Sequence, residues 1–264
     1  MIELVIVGGG NMGAALAGGL VSSGRPASSV AVVEVAEARR RHLEQSLPGV
    51  TVVGGIEADM VRGAGVVLAV KPADALDVAA QVAQAGARRL LSIAAGVRLE
   101  SLEAACGATV AVVRSMPNTP ALVGEGMAAM VAGRAATAAD LEWAQGVLSA
   151  VGRVVTVTEA QLDAVTGVAG SGPAYLFLVA EALIDAGVAE GLPRSIAEHL
   201  VRQLFVGVGA MLGGEVGSPQ ELRAMVTSPG GTTAAGLAEL ERHAVRAAFA
   251  AAVAAAARRS RELG

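Results

Sequence analysis

The chain is short of the residue types from which reactive and metal-binding sites are usually assembled. Its one cysteine, Cys106, excludes an intramolecular disulfide, and three scattered histidines (His42, His199, His243) give no Cys/His cluster, so no metal site is expected. No histidine lies near Cys106 in the chain, which makes it packing rather than a nucleophile. Charge is also sparse. Charged residues make up 17% and the net charge is −4, which argues against nucleic acid as a partner. The basic runs are Arg39-Arg40-Arg41 and Arg258-Arg259-Ser260-Arg261, and the second suits the negative end of a helix dipole. Long apolar runs are missing too. The stretch Ala164 to Ala180, 17 residues without a charged residue or histidine, contains Gly167, Gly170, Gly172 and Pro173. It falls short of the roughly 20 residues of a spanning helix and reads as part of a buried helix pair, so no membrane is expected. The start Met1-Ile2-Glu3 lacks the basic and apolar regions of a signal peptide, so a cytoplasmic protein is expected.

What is present is small and apolar: 34 glycines, long alanine runs and 53% apolar residues, a composition that excludes a disordered chain. Short apolar runs at Ile2–Val7, Val30–Val35, Val50–Val53, Gly65–Val70, Leu90–Ile93 and Val110–Val113 read as strands. Helical segments such as Ala73–Ala85 separate them, and the alternation predicts an α/β domain with a parallel sheet covered on both faces. Ala129–Val131, a helix from about Thr137 and a last strand at Val151–Val157 complete this half. From Glu159 the pattern is helical only, with helices at about 161–187, 193–212, 219–226 and 232–262. Domains of 1–158 and 159–264 follow. The second is alanine-rich with few large side chains, so it needs a partner subunit to bury its apolar faces.

Gly8-x-Gly10-x-x-Gly13 follows the first strand and opens a helix through Asn11 and Met12. The first glycine permits the turn, the second lets backbone approach a pyrophosphate, and the third lets helix and strand pack closely, while free N–H groups attract the anion. Glu34 ends the second strand 21 residues beyond Gly13. A carboxylate there accepts the adenosine ribose hydroxyls and repels a 2′-phosphate, whereas Arg39, Arg40 or Arg41 folded over the ribose would neutralise one. The choice between NADH and NADPH stays open, with Glu34 leaning toward tolerance of NADH. Val70, Lys71 and Pro72 end the fourth strand, and Ala94-Ala95-Gly96 the fifth, where open α/β sheets bind ligands. Lys71 is the only lysine among 20 basic residues, Asn11 and Asn118 are the only asparagines and Tyr175 is the only tyrosine. All four fall inside motifs.

Three longer motifs, Arg114-Ser115-Met116-Pro117-Asn118-Thr119-Pro120, Gly167 to Tyr175 and Val226 to Thr233, closely resemble those of pyrroline-5-carboxylate reductase, in the same order. The resemblance runs from Ile2 to the final helix. It implies a Rossmann-type dinucleotide-binding domain followed by an all-helical dimerisation domain, and NAD(P)H-dependent reduction of 1-pyrroline-5-carboxylate to L-proline, the last step of proline biosynthesis. It also implies a homodimer through interlocked C-terminal helices, with further assembly into a decamer. The loop from Ser228 through Gly230, Gly231 and Thr232 to Thr233 would hold the substrate carboxylate; the catalytic candidates are Thr233, hydrogen-bonding the imine or product nitrogen, and Lys71, which could hold the ribose or the substrate carboxylate and with Pro72 and Asn118 would line the nicotinamide end. Read on residues alone, that loop is also an ordinary helix cap. Likewise Gly170-Ser171-Gly172-Pro173 reads either as a bend admitting substrate, with Ser171 in the site, or as a break between closely packed helices. Two departures stand out: Glu34-Val35 replaces the Asn-Arg common in relatives, and Ala169 replaces a serine. A hydroxyacid dehydrogenase on the same plan would want a basic residue from the helical half, which has no lysine, and a nucleotide-binding scaffold without turnover is the remaining rival.

Overall fold

The computed structural model describes residues 1–214 and 216–263. Two compact units form, Met1–Ser171 together with Ala255–Gly264, and Gly172–Ala254. The first is built on eight strands: β1 (Leu4–Val7), β2 (Val30–Val33), β3 (Thr51–Val53), β4 (Gly65–Leu68), β5 (Arg89–Ser92), β6 (Ala111–Met116), β7 (Gly126–Ala132) and β8 (Gly152–Thr156). Between and after them run α1 (Asn11–Ser22), α2 (Glu37–Ser46), α3 (Ala58–Val61), α4 (Ala75–Gln84), α5 (Leu99–Cys106), α6 (Ala138–Ser149) and α7 (Leu162–Val165). The sheet order is β3-β2-β1-β4-β5-β6-β7-β8. Because β1 sits between β2 and β4, the winding reverses there, and a crevice opens at the carboxyl ends of the strands.

The apolar alternation explains the layers. Leu4 and Ile6 face one way with Val67, Leu91 and Val113, packing on Leu16 and Leu20 of α1 and Val147 and Leu148 of α6. Val5 and Val7 face the other way with Val66, Leu68 and Leu90, packing on Ala79 and Val82 of α4 and Leu102 of α5. Each central strand is therefore apolar on both faces.

The sheet departs from the all-parallel expectation at one place, where β7 runs antiparallel to β6, Ser115 opposite Met130. The connection 117–125 is too short for a helical crossover, which takes about a dozen residues or more, so the chain turns back on itself. Cys106 is buried against the Ala79 carbonyl, and burial pushes its thiol up to about 11. We expect iodoacetamide at pH 8 to leave the native protein unmodified and to label Cys106 only after denaturation; labelling at the rate of a free thiol would contradict this.

Among the described residues, helical structure alone follows β8. Leu162 is buried against Ala129 and Val131, and Ser260 donates a 2.7 Å hydrogen bond to Asp163, so residues 159–171 and the chain's last helical turns belong with the sheet. The expected break at Gly170–Pro173 is instead a π-helical turn over Thr166–Gly170, closed by a 2.8 Å bond from Ser171 N–H to Thr166 O. A wider turn accommodates Pro173, whose nitrogen has no proton for the helical ladder.

The second unit contains α8 (Gly172–Ala189), α9 (Arg194–Gly213), α10 (Pro219–Met225), α11 (Thr232–Arg242) and the first part of α12 (Val245–Leu263). The single expected helix over 232–262 is thus two. The chain turns at Ala244, at φ +54°, a conformation rare outside glycine and without a glycine to announce it. α8 packs on α9 near Gly187, where an added Cβ would lie 3.5 Å from Ala197, an ordinary contact distance. The buried helix pair foreseen for this segment is not buried within one chain: no residue of α8 is, and Phe177 and Leu178 are each 65% exposed. By length and composition the run Glu159–Ala189 is long enough and apolar enough to cross a membrane.

Candidate active site

The glycine loop occupies the reversal point of the sheet. Gly8 N–H donates to Val33 O of β2 at 2.8 Å, and its φ of +110° turns the chain out of β1. Gly10 caps α1 with extended backbone and no side-chain hydrogen bond, and the first helical bond runs from Ala14 N–H to Gly10 O. The N–H groups of Asn11, Met12 and Gly13 therefore have no intrahelical acceptor, and they lie at the positive end of the helix dipole. A Cβ on Gly10 would meet nothing within 4 Å, so the space over the loop is open.

Beside the loop lies a cleft of about 720 Å³ bounded by Gly8, Gly10, Glu34, Val70, Lys71 and, from the start of α4, Asp74 and Asp77. Its volume is that of an ordinary small-molecule site. Glu34 is fixed by backbone: its Oε2 accepts from Gly9 N–H at 3.0 Å and its Oε1 from Ala36 N–H at 2.8 Å. Arg39 Nε donates to Gly9 O at 2.7 Å, and Arg40 Nη1 to Glu34 O and Val35 O at 2.9 and 2.7 Å. Arg41 pairs with Glu37 one helical turn away. Asp74 at the N-cap of α4, Asp77 and Gln81 of α4, Gly55 and Ile56 had no signal in the sequence, because an amphipathic helix does not announce which of its polar residues face a cleft. An open anion-attracting loop and a fixed carboxylate at the β2 end of a cleft this size could hold a dinucleotide.

The other expected cofactor residues spread along the strand ends. Pro72 opens a short 3-10 turn after Lys71, and Ala95 and Gly96 form a turn after β5 with Gly96 at φ +76°. Asn118 has a different occupation from the one foreseen at the nicotinamide end. Its Oδ1 accepts from Met127 N–H at 2.8 Å and its Nδ2 donates to Ala169 O at 3.1 Å. In an α-helix that carbonyl would accept from residue 173, which is proline, so the Asn118 amide supplies the missing donor. Ser171, expected in the substrate site, closes the π-turn through its backbone N–H.

The second unit holds the Ser228–Thr233 loop. Pro229 and Gly230, with φ of +71° at Gly230, make a tight turn closed by Gly231 N–H to Ser228 O at 3.0 Å. Gly231 then caps α11 without a side-chain hydrogen bond, whereas Ser218 at α10 and Thr137 at α6 form full capping boxes. The N–H groups of Thr232, Thr233 and Ala234 are left for an outside acceptor, and the hydroxyls of Ser228, Thr232 and Thr233 are exposed beside them.

Known proteins resemble the chain over its full length. The family model described as pyrroline-5-carboxylate reductase dimerisation matches residues 159–263, and the one described as NADP oxidoreductase coenzyme F420-dependent matches residues 3–96. A pyrroline-5-carboxylate reductase of Mycobacterium tuberculosis (strain H37Rv) is 44% identical, with 100% of this chain and 97% of that protein covered. Among solved structures, a pyrroline-5-carboxylate reductase from Coxiella burnetii superposes with a TM-score of 0.93 at 32% identity, covering 100% of this chain and 98% of that one. A Plasmodium falciparum pyrroline carboxylate reductase with NADP bound gives 0.85 at 30% identity, with the same coverage. The chain belongs to the pyrroline-5-carboxylate reductase family, NAD(P)H-dependent oxidoreductases that carry out the last step of proline biosynthesis.

Proposed function

We propose that this chain reduces 1-pyrroline-5-carboxylate to L-proline with the glycine loop, Glu34, Val70, Lys71, Pro72, Ala95 and Gly96 holding NAD(P)H and the Ser228–Thr233 loop holding the substrate. The observation that carries the substrate assignment is the open N-terminus of α11, a helix that begins with a bare glycine cap after a Pro-Gly turn. Unpaired N–H groups and three hydroxyls at a helix's positive end suit a carboxylate. Bound nicotinamide supplies the hydride. A protonated cyclic imine is already an electrophile, so the chain's own task is orientation and charge stabilisation rather than proton donation to a carbonyl.

In this reading Ser228, Gly230, Gly231 and Thr232 grip the carboxylate, and the Thr233 hydroxyl hydrogen-bonds the ring nitrogen. Residues 1–158 serve as the cofactor domain and 159–264 as the substrate and dimerisation domain. The exposed apolar faces of α8 and α9, including Leu176, Phe177, Leu200 and Leu204, interlock with a second copy, and dimers assemble into a decamer in the cytoplasm. That assembly, rather than a bilayer, accounts for the apolar run Glu159–Ala189, since the dimerisation family model spans it. Thr233→Ala is expected to lower kcat about tenfold, the loss of one hydrogen bond of about 1.4 kcal/mol in the transition state, with the cofactor Kd within twofold of the parent. Steady-state kinetics with binding titrations check this, and an unchanged kcat would remove Thr233 from its role.

A further inference from the structure

We propose that the adenosine end of the cleft selects NADH over NADPH, a choice that rests on the dinucleotide reading above and departs from the NADP-bound Plasmodium falciparum relative. The arginine run next to Glu34 is the source of cations a 2′-phosphate would call on, and its side chains are engaged elsewhere. Arg39 holds the Gly9 carbonyl, Arg40 holds the Glu34 and Val35 carbonyls, and Arg41 pairs with Glu37. None of the three lines the cleft.

The cleft wall carries the opposite charge. Its ionisable side chains are Glu34, Asp74 and Asp77 against the single ammonium of Lys71. Glu34 is held in place by the Gly9 and Ala36 N–H groups, each of which occupies only one lone pair of a carboxylate oxygen, so both oxygens keep capacity to accept ribose hydroxyls. A 2′-phosphate there would add a dianion to a fixed carboxylate in a partly desolvated crevice, which is repulsive at close range. Recruiting Arg39 to neutralise it would release the Gly9 carbonyl. The Gly9 peptide is gripped at both ends, by Glu34 at its N–H and by Arg39 at its carbonyl, so Arg39 is a positioning residue for the phosphate loop and not a reserve cation.

The test measures binding and turnover separately on the purified full chain. Titration with NADH and NADPH, followed by nucleotide fluorescence, is expected to give an affinity at least tenfold in favour of NADH. The ratio of kcat/KM with 1-pyrroline-5-carboxylate should move the same way. Glu34→Gln, which removes the charge and keeps the shape, is expected to narrow the binding ratio at least fivefold, chiefly by improving NADPH. Arg39→Gln is expected to weaken both nucleotides alike. Equal or better binding of NADPH by the parent chain, or an Arg39→Gln loss confined to NADPH, would overturn the proposal. Selective NADH binding without substrate turnover would leave the selection standing and sink the reductase reading; binding of neither nucleotide would sink both.

Discussion

Gly13→Ala is expected to damage both the fold and the cofactor site, whereas Gly10→Ala, three residues earlier, is expected to spare the fold and lose the cofactor. In most helices a glycine-to-alanine change stabilises by up to about 1 kcal/mol. At Gly13 the new Cβ would lie 2.0 Å from the Gly8 carbonyl oxygen and 3.3 Å from Ile6, both parts of the β1 end on which α1 is seated. The 2.0 Å neighbour is backbone, which cannot swing aside as a flexible side chain would, so α1 has to move off the sheet. Overpacking of this kind costs roughly 1–3 kcal/mol net, a melting temperature lower by about 2–12 °C. The same shift carries the three open N–H groups away from the cleft.

Gly10 presents the opposite case, with no atom within 4 Å of a Cβ built there. Its replacement costs the folded protein only the poorer N-cap of alanine, about 0.5–1 kcal/mol. If a pyrophosphate lies against this glycine, however, the methyl group occupies its place, and affinity for NADH should fall at least tenfold, about 1.4 kcal/mol. Thermal melts without nucleotide and titrations with it separate the two effects. Parental NADH affinity in Gly10→Ala would contradict the loop's assignment.

Asn118→Leu is expected to destabilise the nucleotide-free protein by about 2–3 kcal/mol. The substitution removes one donor and one acceptor at once, leaving Met127 N–H of β7 and the Ala169 carbonyl of the π-turn without partners, each loss costing about 1–3 kcal/mol when the group is buried and less where water reaches it. Asn118→Asp keeps an acceptor for Met127 but offers no proton to Ala169, so it should fall between parent and leucine variant. A residue that merely lined the nicotinamide end would leave the nucleotide-free melting temperature unchanged, and that result would refute the bridging role.

These cases show where sequence reasoning succeeds and where it stops. Gly8, Gly10 and Gly13 announce their task because a tight turn, an open approach and a close helix seat each demand the smallest residue, and the flanking apolar strand and alanine-rich helix set the context. Asn118 advertised polarity but not direction: its two partners lie nine and fifty-one residues away and become neighbours only once β7 has reversed on β6. The antiparallel pairing itself was hidden because strand propensity carries no sign. Ala244 turns a helix with a residue of the highest helix propensity, so tertiary packing overrode the local signal there. The arginine run was visible as charge, yet its commitment to the Gly9, Glu34 and Val35 carbonyls depends on α2 packing over the β2 end.

The proposed function assigns NAD(P)H to the open glycine loop and the cyclic imine to the open N-terminus of α11. Its most direct measurement is the initial rate of NADH and NADPH oxidation by the purified chain, with and without 1-pyrroline-5-carboxylate, followed by quantification of the amino acid formed. The expected result is oxidation that depends on the imine and yields one L-proline per nucleotide oxidised; nucleotide binding without imine-dependent oxidation by either cofactor would contradict it.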